Sequence, residues 1–176
     1  DFVTAYSSPG NNPYMMYGYV KGYPLNSLWG FKYGGTWKSQ DEIDRNKVTK
    51  TYVNTGNVVG GARYYDIDHN GVLDQQDLIY QGNADPYIYG GLQNNFYWKG
   101  LKLGVYFTYS LGGKIYNYSE FFMAGSTFTN QYRYMSNAWH PVRNPNSDIP
   151  RAGAKTDAAL ASDFMIHDAS YLRLKN

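Results

Sequence analysis

The stretch from Tyr87 to Leu111, YIYGGLQNNFYW-KG-LKLGVYFTYSL, decides the fold. From Ile88 to Trp98 the positions Ile88, Gly90, Leu92, Asn94, Phe96 and Trp98 share one face, and Tyr89, Gly91, Gln93, Asn95 and Tyr97 share the other. After Lys99-Gly100 the alternation is sharper. Leu101, Leu103, Val105, Phe107, Tyr109 and Leu111 oppose Lys102, Gly104, Tyr106, Thr108 and Ser110. A period of two is the signature of a strand with two different environments. Two residues ending in glycine are the length of a tight hairpin connection. The pattern therefore predicts two antiparallel strands, Tyr87–Trp98 and Leu101–Leu111, each eleven or twelve residues long. Strands of soluble domains usually run to about five or six residues, whereas a tilted strand crossing a bilayer needs about nine to eleven. The polar face carries Gln, Asn, Thr, Ser and Lys, which suits a wet interior behind a lipid-facing apolar surface. Lys102, Gln93 and Asn95 are candidate interior-lining residues, with simple solvation as their ordinary role.

Outward from the hairpin, residues 112–168 form a long connection with no clear period, broken by proline between Asn137 and Arg151. More than fifty irregular residues fit a compact soluble domain poorly. They fit the extracellular loops of an outer-membrane barrel, which are long where the periplasmic turns are short. Phe121-Phe122-Met123 is the apolar patch of this connection and reads as a short helix or a packed loop anchor. Alternation returns at the C-terminal end, with Leu172 and Leu174 opposed to Tyr171, Arg173 and Lys175. Toward the N-terminus, residues 14–23 read as a strand and Leu28–Tyr33 as a shorter extended piece. Ser39-Gln40-Asp41-Glu42-Ile43 opens a short surface helix capped by Ser39 or Asp41. Residues 49–60 read as loop with extended pieces.

Composition agrees with a β protein rich in interfacial rings. Aromatics make up 18% of 176 residues, including twenty tyrosines, beside nineteen glycines and only 17% charged residues. A net charge of +2 without a Lys/Arg cluster gives no footprint for nucleic acid. Cysteine is absent, which removes disulfides and thiol chemistry. No apolar run is long enough for a transmembrane helix, a criterion that leaves barrels untouched.

Just before the hairpin lies Asp66-Ile67-Asp68-His69-Asn70-Gly71-Val72-Leu73-Asp74-Gln75-Gln76-Asp77. Oxygen side chains fall at positions 1, 3, 5, 9 and 12 of this twelve-residue loop, with glycine at position 6. Ca²⁺ takes about six to eight oxygens, and alternate residues of a tight loop turn inward to supply them. Asp66, Asp68 and Asn70 would ligate through side chains, Val72 through its carbonyl, Asp74 directly or through water, and Asp77 from the far end. Gly71 permits the sharp turn. Leu73 is apolar, as an anchoring position requires. Aspartate at position 12, where an EF-hand has glutamate, predicts weaker binding or some tolerance of Mg²⁺. The competing reading is an Asx-rich turn that binds nothing. Against it, four of the fourteen acidic residues of the chain fall inside these twelve positions.

Catalysis finds little support. His69, His140 and His167 are scattered, and no spacing assembles a nucleophile and base. Trp29, Trp37 and Trp139 could stack on sugar rings, though packing is the commoner role of such aromatics.

The ordered blocks Gly22-Tyr23-Pro24, Trp29-Gly30-Phe31-Lys32-Tyr33-Gly34-Gly35 and Trp37-Lys38-Ser39-Gln40-Asp41-Glu42 are followed by Arg63-Tyr64-Tyr65-Asp66-Ile67-Asp68-His69-Asn70-Gly71. Then come Asn95 with Trp98-Lys99-Gly100, Trp139-His140-Pro141, Asn144-Pro145, Ile149-Pro150-Arg151 and residues 168–176. Together they resemble the C-terminal half of the SusC/RagA-type TonB-dependent transporters of the Bacteroidetes outer membrane. That resemblance implies an all-β fold, an antiparallel transmembrane β-barrel segment with long extracellular loops, within a plugged barrel of about 22 strands. It implies that residues 1–176 form part of that barrel, with a Ca-binding-type loop at 66–77 and an extracellular loop at about 112–168. The plug, the TonB-contacting segment and the final strands are expected to lie outside this chain. The implied partners are a SusD-like surface lipoprotein, the remainder of the transporter chain, TonB through the absent N-terminal part, and outer-membrane lipid. The implied cargo is a glycan or oligopeptide. The alternative is a secreted, calcium-stabilised β-rich module that binds carbohydrate. A soluble module must bury its Leu/Phe face in a core, which separates the two readings.

Overall fold

The computed structural model of the chain describes residues 2–4, 18–50, 57–123, 130–153 and 162–175. In chain order the elements are β1 (Phe2–Thr4), β2 (Gly18–Val20), β3 (Ser27–Gly30), β4 (Tyr33–Thr36), α1 (Gln40–Asn46), β5 (Thr49–Lys50), β6 (Ala62–Tyr64), β7 (Val72–Leu73), β8 (Ile79–Asn83), β9 (Ile88–Trp98), β10 (Leu101–Leu111), β11 (Lys114–Tyr116), α2 (Tyr118–Met123), β12 (Ile166–Asp168) and β13 (Tyr171–Lys175). Strand pairing is antiparallel throughout, except between the two-residue strands β5 and β7. The described helices are short, and none is long and apolar enough to cross a membrane.

The hairpin forms as its alternation predicts. β9 and β10 are eleven residues each and pair from Leu101 opposite Trp98 to Leu111 opposite Ile88. Tyr87 falls one position outside β9, yet its amide still donates to the Leu111 carbonyl at 3.1 Å. Lys99 and Gly100 have φ values of 46° and 84°. Two consecutive positive φ values are what a type I′ turn requires, the turn whose twist matches the flanking strands. Inside β9, Gly90 and Gly91 are overlaid by rings from β10. A Cβ on Gly90 would stand 2.7 Å from the Tyr109 hydroxyl, and one on Gly91 would stand 3.0 Å from that of Tyr106. Aromatic rings laid over strand glycines restore the packing those glycines give up.

The third strand comes from the far end of the chain. β13 pairs with β10 from Lys175 opposite Tyr106 to Tyr171 opposite Ser110. This register sets Leu174 level with Phe107 and Leu92, and Leu172 level with Tyr109 and Gly90. The three strands thus share one apolar face, interrupted only by Asn94 opposite Val105. On the other face Lys102 meets Tyr97, Asn95 meets Gly104, and Tyr106 lies between Gln93 and Lys175. Leu92, Phe96, Leu101, Leu103, Leu172 and Leu174 are each more than half exposed. Among the described residues no layer packs over that face. β9 and β13 are the outer strands of the sheet, and each offers its free edge to a further strand.

Residues 112–168 contain more regular structure than their sequence announces. The β10–β13 ladder continues as β11 paired with β12, Lys114 opposite Asp168 and Tyr116 opposite Ile166. Between Ser110–Tyr171 and Lys114–Asp168, the three residues 111–113 face the two residues 169–170, so one strand carries an extra residue. That is the count of a β-bulge. Gly112 takes φ of 88° there. Its amide donates to the Ser170 hydroxyl, and the Ala169 amide donates to the Gly113 carbonyl. Phe121, Phe122 and Met123 fall in α2, a short helix as expected.

A layer of small sheets sits beyond this bulge. β3 pairs with β8, β4 with β6, and β5 with β7. Leu28 of β3 is fully buried, with Tyr116 of β11 and Ile166 of β12 packed against it. This contact seats the layer on the strand extension. Phe31, Ala62, Tyr64 and Leu73 form a second cluster, covered by Tyr33, Val48 and Leu78. Met135 and Ala138 form a third with Tyr134 and Ile149. Ser39 caps α1 by accepting from the Glu42 amide, one of the two expected caps. The expected strand at residues 14–23 is met by β2 over Gly18–Val20, while 14–17 lie outside the described residues.

Gly60 joins two parts of this layer. Its amide donates to the Trp37 carbonyl, its carbonyl accepts from Arg151, and its φ is 81°. A Cβ there would come 2.2 Å from the Trp139 ring. Gly22 has a φ of 91° but nothing within 4 Å of its would-be Cβ. Gly22→Ala should therefore cost backbone strain alone, about 1 kcal/mol. Gly60→Ala adds a displaced indole and should destabilise its region by about 2–4 kcal/mol. Hydrogen exchange on the full-length protein should show faster opening of 57–64 and 138–152 in the Gly60 variant, with β9 and β10 unchanged. Equal effects of the two substitutions would contradict the packing described here.

Candidate metal-binding loop

Residues 66–77 connect β6 to β8 and carry β7 within them. Leu73, at the eighth position, is buried to 1% exposure in the Phe31–Tyr64 cluster and fixes the loop to the layer, as its apolar character predicts. The Gly71 carbonyl accepts from Thr49, where β5 and β7 run parallel. Gly71 takes φ of 83° and His69 φ of 60°, so the loop turns sharply on both sides of Asn70. The His69 side chain is exposed.

The structure gathers three of the expected side-chain ligands. Asp66, Asp68 and Asp77 each offer a carboxylate oxygen, and these oxygens lie within 4.8 Å of one another. Asp77 is fully buried and holds both ends of the loop, Oδ1 accepting from the Ile67 amide at 2.7 Å and Oδ2 from the Asp74 amide at 2.8 Å. Asp66 Oδ2 accepts from Gly71 at 2.8 Å, while Asp66 Oδ1 is buried without a hydrogen-bond partner. Partial burial pushes the Asp66 carboxyl up, but hydrogen bonding, chiefly from the Gly71 amide, outweighs it and holds the group below its ordinary value.

The other expected ligands are placed differently. Asn70 Oδ1 accepts from the Val72 amide and Asn70 Nδ2 donates to Asp68, so its carboxamide is engaged within the loop. Val72 begins β7. Asp74 Oδ1 accepts from Gln76 and caps a 3₁₀ turn over Gln75–Asp77, forming a reciprocal capping box with Asp77. Asp74 thus stands apart from the three clustered carboxylates, where a ligand at this position acting through water would stand.

This donor set fits a hard cation. Three carboxylates at this separation repel when ionised, and a buried carboxylate oxygen with no donor facing it is costly unless a cation meets it. Ca²⁺ takes oxygen ligands from carboxylates and carbonyls, with water completing the shell.

The remaining sequence candidates separate by burial. Trp29 and Trp37 are buried, at 7% and 2% exposure, and are packing residues. Trp29 meets the rings of Tyr23 and Tyr80 edge-on, and the Arg63 guanidinium lies over Trp37. Trp139 is half-buried over Gly60. Lys102, Gln93 and Asn95 share one sheet face and remain exposed. One polar pair has no signal in the sequence. His167 Nε2 lies 2.7 Å from Oε2 of the buried Glu120, forty-seven residues away in the chain.

No protein-family model matches the chain. A TonB-dependent receptor of Formosa agariphila is 34% identical over 150 residues, covering 83% of this chain and 14% of the relative. A second TonB-dependent receptor of the same bacterium is 31% identical over 156 residues, covering 89% of this chain and 15% of the relative. This chain therefore spans about one-seventh of the length of these curated relatives. Among solved structures, the RagAB peptide transporter matches with a TM-score of 0.66 at 24% identity, over 94% of this chain and 17% of that one. The RagAB peptide importer in its closed-closed state matches with a TM-score of 0.63 at 25% identity, over 97% of this chain and 17% of that one. Face-segregated long strands, an uncovered apolar face and these likenesses lead to one assignment: the chain is a β-barrel segment of a TonB-dependent receptor of the SusC/RagA type, a family of the outer membrane.

Proposed function

We propose that this chain supplies barrel wall and extracellular loops to an outer-membrane importer of glycans or oligopeptides that works with a SusD-like surface lipoprotein. The observation that carries this reading is the three-strand register, which collects Leu92, Phe107, Leu172 and Leu174 on one uncovered face and Lys102, Gln93 and Asn95 on the other. In a barrel wall the first face meets lipid and the second the interior. The similar solved structures are of a peptide transporter and importer, RagAB, which supports imported cargo. Energy would reach such a machine through TonB, by way of the parts of the receptor beyond this segment. The role of this segment is structural and binding rather than enzymatic.

Sidedness follows from the hairpin. The Lys99-Gly100 turn is short, as periplasmic turns are, and the small-sheet layer lies beyond the opposite end of β9 and β10. The layer, with residues 66–77 and 130–153, is then extracellular. Gln76 and Asn146 are exposed. Gln76→Cys and Asn146→Cys, in an otherwise cysteine-free full-length receptor, should react on intact cells with a thiol reagent that cannot cross the membrane. Lys99→Cys should stay silent until the cells are opened. Reaction at Lys99 with silence at Gln76 would invert the topology.

Within that layer, Asp66, Asp68, Asn70, the Val72 carbonyl, Asp74 and Asp77 bind one Ca²⁺, with Mg²⁺ as a weaker occupant. The reading is supported by the orphaned buried Asp66 Oδ1 inside the three-carboxylate cluster. The ion braces the loop and neutralises its crowded acids. Extracellular calcium modules bind at about 10⁻⁴–10⁻³ M, and aspartate at the last position suits that range. In the full-length receptor, chelator should raise hydrogen exchange across residues 62–80. In Asp66→Ala exchange there should be high with or without calcium, while β9 and β10 stay protected. Identical exchange with and without chelator in the parent protein would reduce the loop to an Asx-rich turn.

A further inference from the structure

We propose that a cleft on the extracellular layer, built by Trp139, His140, Arg143 and Arg151, binds the carboxylate groups of a small anionic ligand. The cleft has a volume of about 670 Å³, within the size range of small-molecule sites. Its walls are apolar, from Val59, Met135, Ala138, Pro141 and Ala152, beside the indole of Trp139. Among the described residues its charged side chains are all of one sign: Arg143 and Arg151 line it, no carboxylate does, and neither guanidinium has an ion-pair partner.

Both arginines stand on fixed backbone. His140 and Asn144 exchange amide–carbonyl hydrogen bonds at 3.3 and 3.1 Å, closing a tight loop over Pro141, Val142 and Arg143. The His140 ring secures this loop from within, because Nδ1 accepts from the amides of Val142 and Arg143, both at 3.2 Å. An accepting Nδ1 assigns the neutral-ring proton to Nε2, which makes that nitrogen a donor. The Arg151 amide donates to the Gly60 carbonyl at 2.9 Å. Two guanidinium forks on a braced backbone can each take a carboxylate in paired hydrogen bonds. A second cleft of about 410 Å³ shares Arg143 and continues along Asn137, Asn144 and Asn146. It extends the surface in a way that suits a short oligomer rather than a single anion.

Acidic sugars and acidic peptides present the same carboxylate chemistry, and binding to detergent-solubilised full-length receptor separates them without any need for transport. The probes are trigalacturonate and its methyl ester, and triglutamate and triglutamine. At least one acidic probe should bind about tenfold or more tightly than its neutral counterpart. Preference for trigalacturonate identifies an acidic-sugar site, and preference for triglutamate an acidic-peptide site. Arg143→Gln/Arg151→Gln should lower that affinity by about tenfold or more, while Arg133→Gln, outside the cleft, should leave it unchanged. Both cleft arginines are exposed, so their substitution leaves the packed clusters intact. Independently of any variant, affinity for the acidic probe should fall as salt is raised. Failure of both acidic probes to bind, equal binding of neutral and acidic probes, salt-independent binding, or full affinity in the double variant would each overturn the proposal. Loss of a bound lipoprotein in the double variant, with probe affinity retained, would also overturn it and make the arginines a protein contact.

Discussion

Everything in this chain hangs on the register among β9, β10 and β13. Side chains alternate across a strand, so a slip of one residue would carry every leucine of β13 to the polar face. The observed pairing sets Leu174 level with Phe107 and Leu92, and Arg173 level with Thr108 and Gly91. Two devices hold this register. At one end the Lys99-Gly100 turn fixes which residues of β9 and β10 face each other. At the other end the bulge at Gly112–Gly113 is fastened by Ser170 and Ala169, residues that lead directly into β13. Because β11 and β12 continue that ladder, the position of the outer layer is set by the same register that segregates the two faces.

Among the described residues the layer has no single large core. It is a set of small clusters, two of which close joints between segments distant in the chain. Leu28 meets Tyr116 and Ile166, and Phe31 and Tyr64 meet Leu73. Polar contacts reinforce the same joints. Asp163 accepts from the Tyr33 amide and pairs with Lys32 at 2.8 Å, and Lys114 Nζ donates to the Gln81 carbonyl at 2.8 Å. Exposed pairs of this kind add little stability each. Their contribution is geometric, since they fix the angle at which short strands leave the barrel-type sheet. Short strands are sufficient here because the long hairpin beneath supplies a rigid platform.

Local chemistry explains what could be read from sequence and what could not. The hairpin was legible because both its determinants, alternation and a two-residue turn, lie within twenty-five consecutive residues. The Ser39 cap and the anchoring role of Leu73 were legible for the same reason. The alternation of Tyr171–Lys175 was visible, but its partner was not, since β10 lies more than sixty residues earlier. The strands β11 and β12 were hidden by length, because three residues cannot establish a period. The cleft around Arg143 and Arg151 was hidden because it is joined through Gly60 and Trp139, neither of which carries a charge pattern. In the acidic loop, sequence spacing pointed to four carboxylates, of which Asp66, Asp68 and Asp77 converge and Asp74 stands apart. It could not foresee that Asn70 and Asp74 would spend oxygens on backbone amides of their own loop.

That last detail bears on what an ion would do. Asp77 accepts from Ile67 and Asp74 at once, so one buried carboxylate already ties the two ends of the loop together. Asp74 and Asp77 cap each other's turn, which fixes the C-terminal half without any ligand. The electrostatic tension is concentrated where the Asp66, Asp68 and Asp77 carboxylates crowd and Asp66 Oδ1 lacks a donor. A cation would therefore act most strongly on the N-terminal half, between β6 and Gly71, and less on the half already held by its caps. Such an arrangement would make an ion a local brace, since the hydrophobic anchor at Leu73 belongs to the packed cluster. The same separation explains how an aspartate at the twelfth position, too short for easy bidentate closure, still suits this loop, since its first task is to bind backbone amides and only its remaining acceptor capacity faces an ion.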